Sequence, residues 1–133
     1  MNVVSDASPL IVLARIGRFD LLTKLYQTIY ISSEVYAEVT VSGAGLPGAS
    51  LVANADWIEV KPIKNRLALL ELQRNTGLDI GELGAIILAR ETEVETILID
   101  EAAGRKLAQQ HGLEVRGVVG FWKPYSCEGR FWT

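Results

Sequence analysis

The chain has 133 residues, with 16 acidic and 13 basic side chains and a formal net charge of −3. That length, with 49% hydrophobic and 22% charged residues, fits one globular domain and excludes a disordered chain or a repetitive fibre. The single cysteine, Cys127, excludes an internal disulfide framework, and the mild acidity argues against a protein that coats nucleic acid by charge alone.

No apolar run approaches the roughly 20 residues needed to cross a bilayer. The opening Met1-Asn2-Val3-Val4-Ser5-Asp6 has no basic region followed by an apolar one, so no signal peptide is read there. The expectation is one domain working in the cytoplasm, away from membranes.

Val3-Val4, ending at Asp6, reads as a short buried strand. Ser8 followed by Pro9 reads as an N-cap and first helical position, opening a helix over Leu10 to Ala14 that Gly17 ends. Phe19, Leu21, Leu22, Leu25 and Tyr26 make the next apolar face, and Thr28 to Ile31 a second strand. Ser32 or Ser33 can then cap a helix through Val39. Gly43, Gly45, Pro47 and Gly48 form a loop before a short helix over Ala49 to Ala53. Trp57 to Ile63 alternates as far as Pro62, which suggests an edge strand or an extended connection. Leucines at helical spacing run from Asn65 to Arg74, and Thr76-Gly77 ends them. Asp79 opens the most apolar helix, with Leu83, Ile86, Ile87 and Leu88. Thr96 to Ile99 is a third strand, ending at Asp100; Glu101 to Gln110 is the last helix, closed by Gly112. Val115 to Val119 reads as a further strand. Strands alternating with helices predict a three-layer α/β domain on a mostly parallel sheet.

In such a sheet ligands gather outside the carboxyl ends of the strands, where Asp6 and Asp100 both fall. With Ser8-Pro9 read as the cap, Asp6 is left without a structural task. Asp100 has one available, as N-cap of the helix from Glu101. Glu38 lies near the end of its short helix, where the macrodipole is unfavourable, and four residues after Glu34; a solvated helix face is its ordinary explanation. Glu82 also completes a capping box, Asp79-Ile80-Gly81-Glu82. Function is indicated by the four acids as a set. Four carboxylates near element boundaries can meet on one rim, where their repulsion calls for a hard divalent cation such as Mg²⁺ or Mn²⁺. Such an ion activates water and stabilises charge developing on a phosphodiester. His111 reads as a solvated helix end, Cys127 has no evident histidine partner, and no phosphate-binding glycine fingerprint is present.

Four segments together resemble the PIN domain family. Val3-Val4-Ser5-Asp6-Ala7-Ser8-Pro9-Leu10-Ile11 resembles its opening, and Ser33-Glu34-Val35-Tyr36-Ala37-Glu38-Val39 its second acidic motif. Leu78-Asp79-Ile80-Gly81-Glu82-Leu83-Gly84-Ala85-Ile86 resembles the third, and Ile97-Leu98-Ile99-Asp100-Glu101-Ala102-Ala103-Gly104-Arg105 the fourth. The order and spacing hold over about residues 2 to 120, and the third motif is similar to that of the prokaryotic VapC-like branch.

The resemblance implies an α/β/α sandwich over residues 1–120, with 121–133 as a divergent aromatic tail of the same domain. It implies a metal-dependent endoribonuclease, often the toxin of a toxin–antitoxin pair. Asp6, Glu38, Glu82 and Asp100 would be the catalytic, Mg²⁺- or Mn²⁺-binding residues. Ser8 would be a hydroxyl near Asp6, Glu101 a supporting acid, and Arg105 a phosphate contact or ion-pair partner. RNA, a cognate antitoxin and a second copy of the chain are the implied partners. Two features depart from the pattern. The tail carries Phe121, Trp122, Tyr125, Phe131 and Trp132, half of the chain's aromatic residues, and glutamate stands at two acidic positions where many relatives use aspartate. One alternative is a PIN-like nucleic-acid-binding or regulatory module that keeps the pocket without turnover. A receiver domain is another, although it expects an acidic pair near the first strand, where Asp6 stands alone.

Overall fold

A computed structural model describes residues 1–117. Residues 118–133 lie outside this description, and with them the end of the strand expected over Val115 to Val119 and the aromatic tail.

Five strands form one sheet: β1 (Val3–Ser5), β2 (Ile29–Ser32), β3 (Ile58–Lys61), β4 (Thr96–Leu98) and β5 (Glu114–Arg116). Every neighbouring pair is parallel, in the order β3-β2-β1-β4-β5. The helices are α1 (Ala7–Arg15), α2 (Leu21–Leu25), α3 (Ser33–Ala37), α4 (Pro47–Asn54), α5 (Arg66–Thr76), α6 (Ile80–Glu91) and α7 (Ala102–Gln110).

Strand alternation divides the core between the two faces of the sheet. Val3, Ile29, Ile31 and Leu98 join α1 to α4 through Leu10, Leu13, Leu22, Val35 and Val52. Val4 and Ile97 point the other way, against Ala85, Ile86 and Leu88 of α6 and Ala108 of α7. Leu69 of α5 packs on the outside of α6, against Leu83 and Ile87. The result is a three-layer α/β/α sandwich. Covered by the sheet, α5 and α7, helix α6 is buried at every position from Gly81 to Ala89, which is why its apolar residues extend beyond one face. Among the described residues, no helix is long and apolar enough to cross a membrane.

Three local expectations change. Pro47 and Gly48, read as loop, are the first residues of α4, because proline suits the first helical position where its missing N–H costs nothing. Helix α1 begins at Ala7 with Asp6 in the cap position, so Ser8 is not the cap. Pro9 is then the third helical residue, where its missing N–H is still one that no intrahelical carbonyl would accept. The helix read through Val39 ends at Ala37 and continues as a π-helical turn, Glu38–Ser42, in which the Gly43 N–H reaches the Glu38 carbonyl at 3.0 Å. Glu38 therefore begins a further turn, and the macrodipole penalty assigned to it does not apply. Glu34, the like charge four residues earlier, pairs with Arg66 at 2.6 Å.

Other boundaries form as their sequence chemistry suggests. The Ser32 hydroxyl accepts the Val35 N–H at 3.1 Å, and the Asn65 side-chain carbonyl oxygen accepts the Ala68 N–H at 3.0 Å. Gly77 closes α5 with φ of 70°, a left-handed conformation that favours glycine. Glu91 at the end of α6 accepts the backbone N–H groups of Lys64 and Asn65, each at 2.9 Å, and so ties down the start of α5. Glu91→Ala should cost about 1–2 kcal/mol of stability by leaving both donors to water. Urea unfolding would show this as a lower midpoint with an unchanged slope.

Candidate active site

Strand order reverses direction between β1 and β4, and this switch point opens a crevice beyond the strands' carboxyl ends. Asp6 follows β1 directly, and its N–H donates to the Leu98 carbonyl at the end of β4 at 3.0 Å. Asp100 lies two residues beyond Leu98. The two aspartates thus leave neighbouring strands on either side of the crevice.

Asp6 is only 4% exposed, and its side chain makes no capping hydrogen bond. Burial pushes its carboxyl up to about 7, against the lowering effect of the Ala7 N–H, and the charges of Glu82, Glu38 and Asp79 add to the rise. Ser5 donates its hydroxyl to the Asp6 carbonyl at 2.8 Å, a buried contact that fixes the turn out of β1. Ser8 is the second residue of α1 and half-buried.

Glu82 enters from the first turn of α6 and is 6% exposed. Burial raises its carboxyl, followed by the charges of Asp79 and Glu101, while the Asp79 N–H opposes the rise. Glu82 Oε1 is buried 2.8 Å from the β-carbon position of Gly104 on α7 and, among the described residues, has no hydrogen-bond partner. Glu38 is raised by partial burial and then by Asp79.

Gly81 marks where the acids converge. A β-carbon there would lie 3.1 Å from Glu38 Oε1, 3.4 Å from Asp79 Oδ1 and 3.5 Å from Asp6 Oδ1. Side chains reaching in from the ends of β1 and α3 and the start of α6 thus face one small space that exists because residue 81 has no side chain. By sequence Asp79 is only a cap. It does cap α6, accepting the Gly81 N–H at 2.8 Å, while its charge also acts on Asp6, Glu38 and Glu82. Cap chemistry alone does not reveal that second effect.

Asp100 lies differently. The cap position of α7 is Glu101, so capping does not account for Asp100. Asp100 Oδ1 is 3.0 Å from the β-carbon position of Gly117, and the Arg105 guanidinium borders the same position. Arg105 also donates to the Ile99 carbonyl at 3.1 Å. Glu101 is exposed, and its charge bears on Glu82. Asp6, Glu38 and Asp79 oxygens thus meet at Gly81, Glu82 Oε1 lies against Gly104, and Asp100 and Arg105 border Gly117.

Among the described residues, no three His, Cys, Asp or Glu side chains are arranged to hold a metal ion as they stand. In donor chemistry the cluster does fit one. It offers only hard carboxylate oxygens, three of which face Gly81, and a buried Glu82 oxygen without a partner among the described residues.

An all-parallel α/β/α sandwich with carboxylates gathered at its switch point is a doubly wound domain with an acidic site. The chain matches the PIN domain family over residues 2–122, and it belongs to that family. PIN domains are in general nucleases, and they commonly use divalent metal ions. No curated protein sequence matches the chain.

Proposed function

We propose that this PIN domain is a Mg²⁺- or Mn²⁺-dependent endoribonuclease of the VapC-like kind, acting in the cytoplasm as the toxin of a toxin–antitoxin pair. The supporting observation is the convergence of Asp6, Glu38 and Asp79 carboxylates at Gly81. These acids cannot all stay charged at low cost so close together, and a divalent cation would relieve their repulsion more fully than protons do.

Asp6, Glu38, Glu82 and Asp100 would hold the ion, and Asp79 would add charge from the rim. Bound there, the ion would lower the pKa of water and stabilise charge on the phosphodiester. A carboxylate of the set would accept the proton of the attacking water as the phosphorus–oxygen bond to the leaving group breaks. Ser8 would orient Asp6, Glu101 would support Glu82, and Arg105 would meet a substrate phosphate. RNA is the proposed substrate. A small antitoxin and a second copy of the chain, both suggested by the family resemblance, complete the proposed assembly.

One observation favours a second reading, a PIN-like binding or regulatory module without turnover: the Arg105 guanidinium and Asp100 Oδ1 border the same point at Gly117, so a fixed positive charge stands near a proposed metal ligand. One experiment separates the two. The purified protein is titrated with Mg²⁺ or Mn²⁺ while unfolding and RNA cleavage are followed. Metal at 100 times its Kd should stabilise the fold by about 2.7 kcal/mol, and cleavage should appear with the same metal dependence. Stabilisation without cleavage selects the silent module, and neither effect sinks both readings. Without divalent metal, the repulsion of the acidic rim should leave RNA affinity poor.

A further inference from the structure

We propose that Asp79 is itself an oxygen donor to the divalent ion, and not only the cap of α6 and a charge at its rim. The assignment rests on the metal-dependent reading above and adds a residue to it.

Asp79 has a visible structural task. Its Oδ1 accepts the Gly81 N–H at 2.8 Å and so closes the first turn of α6. Serine or asparagine would serve that cap about as well without a charge. Aspartate instead adds a carboxylate where the oxygens of two other acids already lie. Glu38 Oε1, Asp79 Oδ1 and Asp6 Oδ1 fall 3.1, 3.4 and 3.5 Å from the β-carbon position of Gly81. The positive end of α6 favours an acid there, but it does not account for three.

Independent support comes from Asp6. It is 4% exposed, and its carboxylate makes no hydrogen bond among the described residues beyond that of the adjoining Ala7 N–H. No basic side chain of the described residues forms an ion pair with it. Its Oδ1 is nevertheless aimed at the point that Asp79 and Glu38 approach. Glu38 and Asp79 are exposed, so an ion arriving from solvent meets them first, with Asp6 beneath. One buried and two exposed carboxylates match the oxygen donors of a hard divalent cation.

Of the two acids at the start of α6, Asp79 is the one whose oxygen faces Glu38 and Asp6. Glu82 Oε1 lies buried against Gly104. The cap bond also prepares Asp79 for this task. The Gly81 N–H takes one lone pair of Oδ1 and fixes its direction, and a carboxylate has further lone pairs for a metal. Ligating carboxylates are commonly held in this way by a hydrogen bond from behind.

The test is Mn²⁺ titration calorimetry, without RNA, on the full chain carrying Asp79→Ser. Serine keeps the cap, so urea unfolding of the metal-free variant should match or exceed the parent's midpoint. Mn²⁺ affinity should fall at least ~10-fold relative to the parent, since even a disturbed supporting contact costs that much. The loss should persist from about 0.1 M to about 1 M KCl, because an exposed charge acting only through space is largely screened at the higher salt. Water should replace the lost oxygen, so relaxation of water protons by protein-bound Mn²⁺ should increase. If serine lowers the metal-free midpoint, Asp79→Asn, which keeps the cap without the charge, is measured in the same way and decides. Unchanged affinity, or a loss that vanishes at high salt, overturns the role of Asp79 and leaves the metal site to the other acids. A parent protein that binds no Mn²⁺ removes both.

Discussion

Asp6→Asn is expected to lower metal-dependent RNA cleavage at least ~100-fold, the scale on which loss of one group stabilising transition-state charge acts, while making the folded protein more stable at pH 8. The two effects have one cause. Asp6 is 4% exposed, and burial with three neighbouring acids lifts its carboxyl from 3.8 to about 7. In metal-free buffer between about pH 4 and 7, the unfolded chain has released this proton and the folded chain retains it. Folding stability is therefore intact at the acid end, falls as pH rises through this window, and levels off above it. Each tenfold change in proton affinity is worth about 1.36 kcal/mol, so holding the charge costs on the order of 4 kcal/mol. Burial of Glu82 and partial burial of Glu38 act in the same direction. Asparagine keeps the shape without the charge, so unfolding of the variant should depend less on pH and exceed the parent's stability at pH 8. Unchanged cleavage would remove Asp6 from the reaction, and a less stable variant at pH 8 would contradict its buried charge.

Gly81→Ala separates the fold from the site. Gly81 is the second residue of α6 with no positive φ, so an alanine backbone fits there. Helical preference for alanine over glycine should leave stability within about 1 kcal/mol of the parent or slightly above it. The new methyl group would nevertheless occupy the space faced by Glu38, Asp79 and Asp6 oxygens at 3.1, 3.4 and 3.5 Å. Only flexible side-chain ends need to move, and they move away from one another. Metal affinity should fall by on the order of 10–100-fold, the range seen when support around a metal site is disturbed, with a parallel loss of cleavage. Titration calorimetry with Mn²⁺ would show it; equal affinity in parent and variant would place the ion away from Gly81.

Much of this architecture is local information. Val3-Val4 and Thr96 to Ile99 are too short and too apolar for anything but buried strands. The alternation of strands with helices leads directly to the layered α/β/α arrangement with a parallel sheet. Capping chemistry at Ser32, Asn65 and Asp79 is equally local, since each cap reaches backbone only two or three residues away. The misreadings are local too. At the start of α1, Ser8-Pro9 and Asp6 compete for the same cap, and proline tolerates more than one position in a first turn. At Glu38, the π turn depends on a bond to Gly43, five residues on, which helical periodicity does not encode.

The acidic residues show where local information ends. The sequence alone marks Asp6, Glu38, Glu82 and Asp100 by their positions at element boundaries, because a strand's end and a helix's first turn are set by neighbours along the chain. It can treat Glu82 only as either a cap or a site residue. Tertiary packing decides that Glu82 is buried with an unpartnered oxygen, that Asp79 belongs with the acids, and that Glu38, Asp79 and Asp6 face one another at Gly81. It also sets Asp100 beside Arg105 and Gly117. Burial and Coulomb interaction depend on distance through space, and residues 6, 38 and 82 become neighbours only when the sheet brings β1, α3 and α6 to one edge.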